Sequence, residues 1–245
     1  MNFFVGNALW HLVMQSDAMT AFILIGFLIA SILCWSIIFY KWSLIKIKYK
    51  QVVQASKEMR NIHNVEQLLS VSQKYAGTLV GQLIADQLGT ARVCLKNKKQ
   101  LTDQDKELLE GQRLSLIEDM IHDEESYLWI LSLSAAVGPL VGLFGTVWGL
   151  MHAFINISEK QIADIVTMAP GIAEALLTTL GGLMLAIPTL IMFHYLQGQI
   201  REIEHMLYQI SDRLDGVIGS ICIEVKESRE NAIESATQEK SALSS

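Results

Sequence analysis

The amino-acid sequence predicts an all-α membrane protein with three transmembrane helices and long helices that extend into the cytoplasm. Hydrophobic residues make up 51% of the 245 residues and charged residues only 18%, which is more apolar than is usual for a soluble domain. The chain contains three long apolar runs. All three prolines, Pro139, Pro170 and Pro188, fall in the second half, so the first 138 residues can be almost wholly helical.

The apolar runs give the positions of the three spans. Residues 18–40 contain no charge and, at 23 residues, are long enough to cross about 30 Å of hydrocarbon. A second span covers residues 127–152, and a third covers residues 165–195 with one carboxylate, Glu174. Residues 1–17 contain no Lys or Arg, so a cleaved signal peptide fits poorly and the first span is expected to stay as an anchor.

The basic residues predict the orientation of these spans. Residues 1–17 contain none, residues 41–126 contain 13, one lies between the second and third spans, and five follow residue 196. Because Lys and Arg accumulate on the cytoplasmic side, we expect a periplasmic N-terminus (1–17), a cytoplasmic domain (41–126), a periplasmic loop (153–164) and a cytoplasmic C-terminus.

The cytoplasmic parts are predicted to be helical. Residues 41–126 contain no proline and repeated Leu and Ile positions, which favours a helical bundle. After the third span, apolar residues recur at alternating spacings of 3 and 4, which is a heptad pattern. We therefore expect the third span to continue as a packed helix over residues 196–225, followed by a disordered tail, 226–245, rich in Ser and Glu. The heptad positions are Ile200, Ile203, Leu207, Ile210, Leu214, Val217 and Ile221.

Glycines in the second span form a stripe. Gly138, Gly142, Gly145 and Gly149 fall within about 60° of one another on a helical wheel. In lipid, small residues allow the backbone of another helix to approach closely, and this drives association. The third span offers further residues of this kind in Gly181 and Gly182, together with a helix-distorting Pro188. The sequence thus predicts tight helix packing, with loose lipid-facing glycines as the alternative.

Polar side chains lie beside these glycines. The second span carries Thr146, and the third carries Glu174, Thr178 and Thr179. A carboxylate in a span is costly, which makes Glu174 a candidate functional residue, although it could also be an ordinary acid in the first helical turn after Pro170. The Thr146 hydroxyl could line a polar path or bond a carbonyl one turn back on its own helix.

Several functions are disfavoured. The net charge of −6 and the lack of a basic cluster interleaved with aromatic residues argue against a nucleic-acid partner. Cys34, Cys94 and Cys222 are too scattered for a disulfide framework or a metal site. The spans contain no Asp, so either this chain conducts no protons or it lines a path with hydroxyls while a partner helix supplies the exchanging carboxylate.

Two motifs resemble those of a known family. The segments GPLVGLFGTVWGLMHAF (138–154) and APGIAEALLTTLGGLMLAIP (169–188) are similar to the paired motifs of the MotA/TolQ/ExbB proton-channel superfamily. The ending GLMHAF, with His152, is more similar to the TolQ branch than to the ExbB branch. The three spans and the large loop after the first also fit, whereas flagellar stators of the MotA branch have four spans.

The resemblance implies an inner-membrane energiser and no enzyme, cofactor or metal. In such an energiser, five copies form a homo-oligomeric ring around a single-span TolR-like partner that carries an intramembrane Asp. The complex acts on a TolA-like protein. The functional threonines and glutamate of the family correspond to Thr146, Thr179 and Glu174. Thr178 stands where alanine is usual, so either neighbouring hydroxyl could line the path, and His194 stands where Asn is common. An ExbB-like role in outer-membrane uptake and a passive scaffold remain alternatives.

Overall fold

The computed structural model describes residues 18–60, 62, 65–96, 103–160 and 165–242, and in these residues it contains helices and no strand. The described residues form two compact units. The helices are α1 (Ala18–Met59), α2 (Val65–Lys74), α3 (Leu79–Lys96), α4 (Asp103–Glu125), α5 (Leu128–Lys160) and α6 (Ile165–Ala242).

The three predicted spans are confirmed as parts of α1, α5 and α6, which are long and apolar enough to cross a membrane. The first unit comprises residues 18–43 and Glu125–Gly198 and therefore contains all three predicted spans. Each span exposes large apolar side chains, such as Phe22, Leu140 and Met184. Lipid is as apolar as these side chains, so their exposure costs nothing within a bilayer. The chain is a membrane protein.

Small residues dominate the buried face of α5 in this unit. Its buried positions recur at spacings of 3 and 4, so one continuous face of the helix packs inward. The corresponding buried face of α6 carries two threonines as well as small and aliphatic residues. The buried residues of α5 are Leu128, Leu131, Ala135, Gly138, Gly142, Gly145, Gly149 and Ala153, and those of α6 before residue 190 are Ala175, Thr178, Gly182, Leu185, Ala186 and Thr189.

The second unit, Leu44–Glu124 with residues 199–242, is a helical bundle with an aliphatic core. The helices α2 and α3 form a hairpin whose turn contains Gly77 at φ 83°. The first five heptad positions of α6, Ile200 to Leu214, are at most 1% exposed, which confirms the predicted seam. Val217 is half-buried, and the burial of Ile221 lies outside the described residues.

The observed helix ends differ from the predicted ones. Helix α5 continues to Lys160, through most of the segment predicted as a periplasmic loop (153–164). Helix α6 runs to Ala242, where the sequence predicted a disordered tail after residue 225. Residues 226–242 contain neither Gly nor Pro and include four Glu and three Ala, so intrinsic helix propensity accounts for the difference. The predicted periplasmic N-terminus lies outside the described residues.

Candidate functional site between α5 and α6

The glycine stripe of α5 lies against α6 of the same chain. Gly138 and Gly182 face each other, and a Cβ atom built on Gly182 would lie 2.5 Å from the Gly138 carbonyl oxygen. A Cβ on Gly138 would lie 3.2 Å from the Gly182 carbonyl oxygen. Real Cβ atoms do not approach an oxygen to 2.5 Å, so only glycine at position 182 permits this backbone approach.

The other three glycines of the stripe meet α6 one turn after another. A Cβ on Gly142 would lie 3.0 Å from both the Thr178 carbonyl oxygen and the Thr179 Cα. On Gly145 it would lie 2.7 Å from the Thr178 Cβ, and on Gly149 it would lie 2.8 Å from the Ala175 Cβ. The predicted packing surface therefore joins the second and third spans within one subunit.

The glycine pair of α6, Gly181 and Gly182, contacts α1 as well as α5. A Cβ on Gly181 would lie 3.2 Å from the Phe27 ring of α1, and one on Gly182 would lie 3.3 Å from the same ring. The Phe27 ring thus packs over backbone that has no side chain to displace it. Pro188 is half-buried inside α6, and the helix continues past it.

Two neighbouring hydroxyls of α6 converge on one carbonyl of α5. Thr179 Oγ1 donates to the Gly142 carbonyl oxygen at 3.0 Å, and Thr178 Oγ1 lies 3.3 Å from the same oxygen. Thr178 Oγ1 also donates to the Ala175 carbonyl at 2.7 Å, which is its shorter contact. Thr178 is fully buried and Thr179 is half-buried, so only the Thr179 hydroxyl keeps a side that a further group can reach.

Thr146 makes a different kind of hydrogen bond. Its Oγ1 donates to the Leu143 carbonyl at 2.6 Å, on its own helix, and its side chain is half-buried. This local bond is the common fate of a threonine in a helix and matches one of the two predicted alternatives. The bond uses the hydroxyl proton, so the oxygen can still accept a hydrogen bond from water.

Glu174 does not lie in the first turn of its helix. Helix α6 begins at Ile165, ahead of Pro170 and Gly171, and therefore Glu174 is in the third turn. The stabilisation of an acid by the helix dipole fades beyond the first turn, so the alternative of an ordinary first-turn acid is wrong. Glu174 is half-buried and precedes Ala175, which packs against Gly149.

The histidines of the spans lie beside aromatic rings. The His152 ring is 5.3 Å from Trp148, which is 6.2 Å from Phe144, so three rings follow one another along α5. His194 is exposed, with its ring 5.2 Å from Phe193.

Sequence reasoning missed buried polar residues of this unit, among them Thr189 and Lys41. Thr189 is 2% exposed and donates to the Leu185 carbonyl at 2.7 Å, directly after Pro188. Lys41 is 4% exposed, and its Nζ donates to Ser126 Oγ at 3.1 Å and lies 5.8 Å from the Tyr127 ring centroid. Thr189 could have been identified from the sequence, because it directly follows Pro188. The partners of Lys41 are 85 and 86 residues away, and nothing local indicates them.

The geometry defines a class of membrane protein with three spans, of which the second and third pack through backbone contacts and carry hydroxyls at the contact. Residues 85–209, about half of the chain, match the MotA/TolQ/ExbB proton channel family, and the chain belongs to this family.

Individual relatives carry the names of two of its branches. The chain is similar to the biopolymer transport protein ExbB of Pseudomonas putida, at 30% identity over 83% of this chain and 60% of that protein. The ExbB of Salmonella typhimurium is 28% identical over 79% of each chain. The Tol-Pal system protein TolQ of Haemophilus influenzae is 44% identical over 34% of this chain and 37% of that protein.

Proposed function

We propose that this chain is a TolQ-like subunit of a proton-motive-force-driven motor of the bacterial inner membrane. In this proposal several copies, five in the simplest form, surround a TolR-like single-span protein. The motor drives a TolA-like protein that maintains the outer membrane during cell division. The observation that carries the proposal is the hydrogen bond from Thr179 to the Gly142 carbonyl at the packed contact of α5 and α6.

Thr179 is the better candidate for the hydroxyl that lines the path. Its neighbour Thr178 is fully buried and has two carbonyl partners, which suits a packing role. Thr179 is half-buried, so water or a partner helix can reach its oxygen while its proton is held by Gly142. A hydroxyl in this arrangement accepts a hydrogen bond and helps order a chain of water molecules.

Thr146 and Glu174 extend this path in the proposal. Thr146 donates to its own helix, which fixes its oxygen as an acceptor for water. Glu174 is in the third turn of α6 and has a half-buried side chain, so its carboxylate shapes the outer mouth of the path. Because the spans contain no Asp, the group that takes up and releases each proton belongs to the partner. No covalent bond is made or broken in this chain.

The orientation follows from the basic residues. With 13 of the 19 Lys and Arg residues in residues 41–126, that segment lies in the cytoplasm and the N-terminus in the periplasm. Protons then enter at the Glu174 end of α6 and leave towards its His194 end.

An ExbB-like role in energising outer-membrane uptake is the second candidate. It is favoured by the length of two matches, because the ExbB proteins of Pseudomonas putida and Salmonella typhimurium align with 79–83% of this chain whereas the TolQ of Haemophilus influenzae aligns with 34%. The TolQ-like role is favoured by the ending GLMHAF. Identification of the small single-span protein that co-purifies with this chain distinguishes the two roles.

The experiment that tests proton conduction uses this chain reconstituted with that partner in vesicles. We expect Thr179→Val to assemble normally and to lose most of the proton flux that a potential drives. Thr189→Val is the matched control, since Thr189 lies on the same helix and its hydroxyl donates to the Leu185 carbonyl of that helix. If Thr179→Val and Thr146→Ala both assemble and retain full flux, the chain is a passive scaffold and the proposal fails.

A further inference from the structure

The surface of the helical bundle of the second unit has a cavity that is open to solvent and is unrelated to the proposed proton path. Its volume is about 370 Å³, and α1 and α6 provide its walls. Ile210, which is 1% exposed, is its one apolar lining residue. The polar lining residues are Ser56, Arg60, Gln209, Asp212 and Arg213.

Each of the two walls presents an arginine and a neutral hydrogen-bond donor. Ser56 lies in the last turn of α1, and Arg60 follows directly after the helix end at Met59. On α6, Gln209 and Arg213 are four residues apart and therefore share one face. Each wall thus offers a guanidinium close in sequence to a neutral group that can donate a hydrogen bond. The Gln209 amide nitrogen lies 2.9 Å from His205 Nε2, and this contact holds the amide while leaving its second N–H.

The charge of the cavity is positive. Among the described residues, neither Arg60 nor Arg213 forms an ion pair with a carboxylate. The single acidic lining residue, Asp212, lies 3.9 Å from the guanidinium of Arg113, which also pairs with Asp215. The Asp212 charge therefore already has a cationic neighbour outside the cavity.

We propose that this cavity binds a phosphate group, either as inorganic phosphate or as part of a small phosphate monoester. Guanidinium groups match the tetrahedral oxygens of phosphate with paired hydrogen bonds, and Ser56 and Gln209 supply the remaining donors. A volume of about 370 Å³ is near the lower end of small-molecule sites, which suits a phosphate with a short substituent. Both arginines are exposed, so a solute can reach them from water.

A bound phosphate would join α1 to α6 inside the second unit. It would contact Arg60 near the end of α1 and Arg213 in the heptad region of α6, and so it would raise the temperature at which this unit unfolds. The proposal does not depend on the proposed function, because no residue of the cavity belongs to the proton path.

The test uses the full chain in a non-ionic detergent. Binding of inorganic phosphate and of glycerol 3-phosphate is measured by calorimetry, and thermal unfolding is followed in phosphate and in sodium chloride at the same ionic strength. We expect saturable binding and a phosphate-specific rise in the unfolding temperature. Arg60→Gln and Arg213→Gln should each weaken binding about tenfold, which is the effect of losing one charged hydrogen-bond partner.

Arg201→Gln and Lys57→Gln are the matched controls. Arg201 is exposed on α6 and Lys57 is exposed on α1, and neither lines the cavity. Tighter binding of glycerol 3-phosphate than of inorganic phosphate would identify a monoester as the ligand, and the reverse would identify the free ion. The proposal is overturned if phosphate acts no differently from chloride, or if the control variants weaken binding as much as the arginine variants. Unfolding of each variant in chloride separates a folding defect from a binding defect.

Discussion

Gly138 of α5 and Gly182 of α6 face each other so closely that a Cβ on Gly182 would lie 2.5 Å from the Gly138 carbonyl oxygen. The contact is formed by backbone on both sides. We expect Gly182→Ala to force the two helices apart and to destabilise the chain by about 1–3 kcal/mol, the usual cost of overpacking. Thermal unfolding of the purified chain in detergent measures this loss.

Gly26→Ala serves as the control for that substitution. Gly26 lies in the first span, and a Cβ there would meet nothing within 4 Å. Its replacement should be neutral or stabilising by up to about 1 kcal/mol, the difference in helix propensity. Equal effects of the two substitutions would contradict the role assigned to the contact.

The turn between α2 and α3 gives a prediction about backbone conformation alone. Gly77 has φ 83°, but a Cβ on it would meet nothing within 4 Å. Gly77→Ala should therefore cost about 1–2 kcal/mol through the left-handed conformation and nothing through crowding. Gly89→Ala, in the interior of α3 with equally open surroundings, should be neutral or stabilising. Chemical unfolding of both variants checks the sign of each effect.

A buried hydrogen bond joins Gln87 of α3 to Ser211 of α6 at 2.7 Å. We expect Ser211→Ala to cost about 1–3 kcal/mol, because it leaves the buried Gln87 amide without this partner. Combining it with Gln87→Leu should recover part of the loss, since an apolar pair leaves no buried donor unsatisfied. A double-mutant cycle in thermal unfolding measures the coupling, and strictly additive losses would refute it.

The ion pair of Glu58 and Lys74, with Nζ 2.5 Å from the carboxylate, predicts a pH dependence. The hydrogen bond from Lys74 lowers the pKa of Glu58 below its ordinary 4.5, and the hydrogen bond to Glu58 raises the pKa of Lys74 above 10.5. The pair therefore stabilises the fold between these values. Its contribution is lost as the pH falls below 4.5 through the lowered pKa of Glu58, and as the pH rises above 10.5 through the raised pKa of Lys74.

Glu58→Gln should reduce the loss of stability at acid pH, because Gln does not titrate. The effect should be small, because both groups are close to solvent. Unfolding temperatures of the two proteins between pH 7 and pH 3 test this. Lys57→Gln, next to Glu58 in sequence and exposed, should leave the profile unchanged. A difference between wild type and Glu58→Gln that grows as the pH falls would contradict the predicted sign.

Features set by local periodicity could be predicted from the sequence. The three spans, the continuation of the third span beyond the membrane and the burial of Ile200 to Leu214 all follow from apolar spacing. The position of Glu174 in its helix was predicted less well, because Pro170 suggested a helix start and the helix begins five residues earlier. Proline is compatible with the first turn of a helix, so it marks a start only approximately.

Features that depend on distant parts of the chain could not be predicted. The convergence of Thr178 and Thr179 on the Gly142 carbonyl joins residues 36 and 37 positions apart. The burial of Gln87 depends on a partner 124 positions away. Sequence spacing places a hydroxyl on a face of a helix, but it does not say which carbonyl of another helix that face meets.

The glycine contact between α5 and α6 has a consequence for motion. Side chains normally let neighbouring helices slide, because one set of rotamers can be exchanged for another. A surface of glycine backbone has no rotamers to exchange, so it loses no side-chain entropy when it forms and has no alternative packing to adopt. Any movement powered by protons would then shift the second and third spans together as one rigid body. The displacement would take place at the surfaces around this pair of helices.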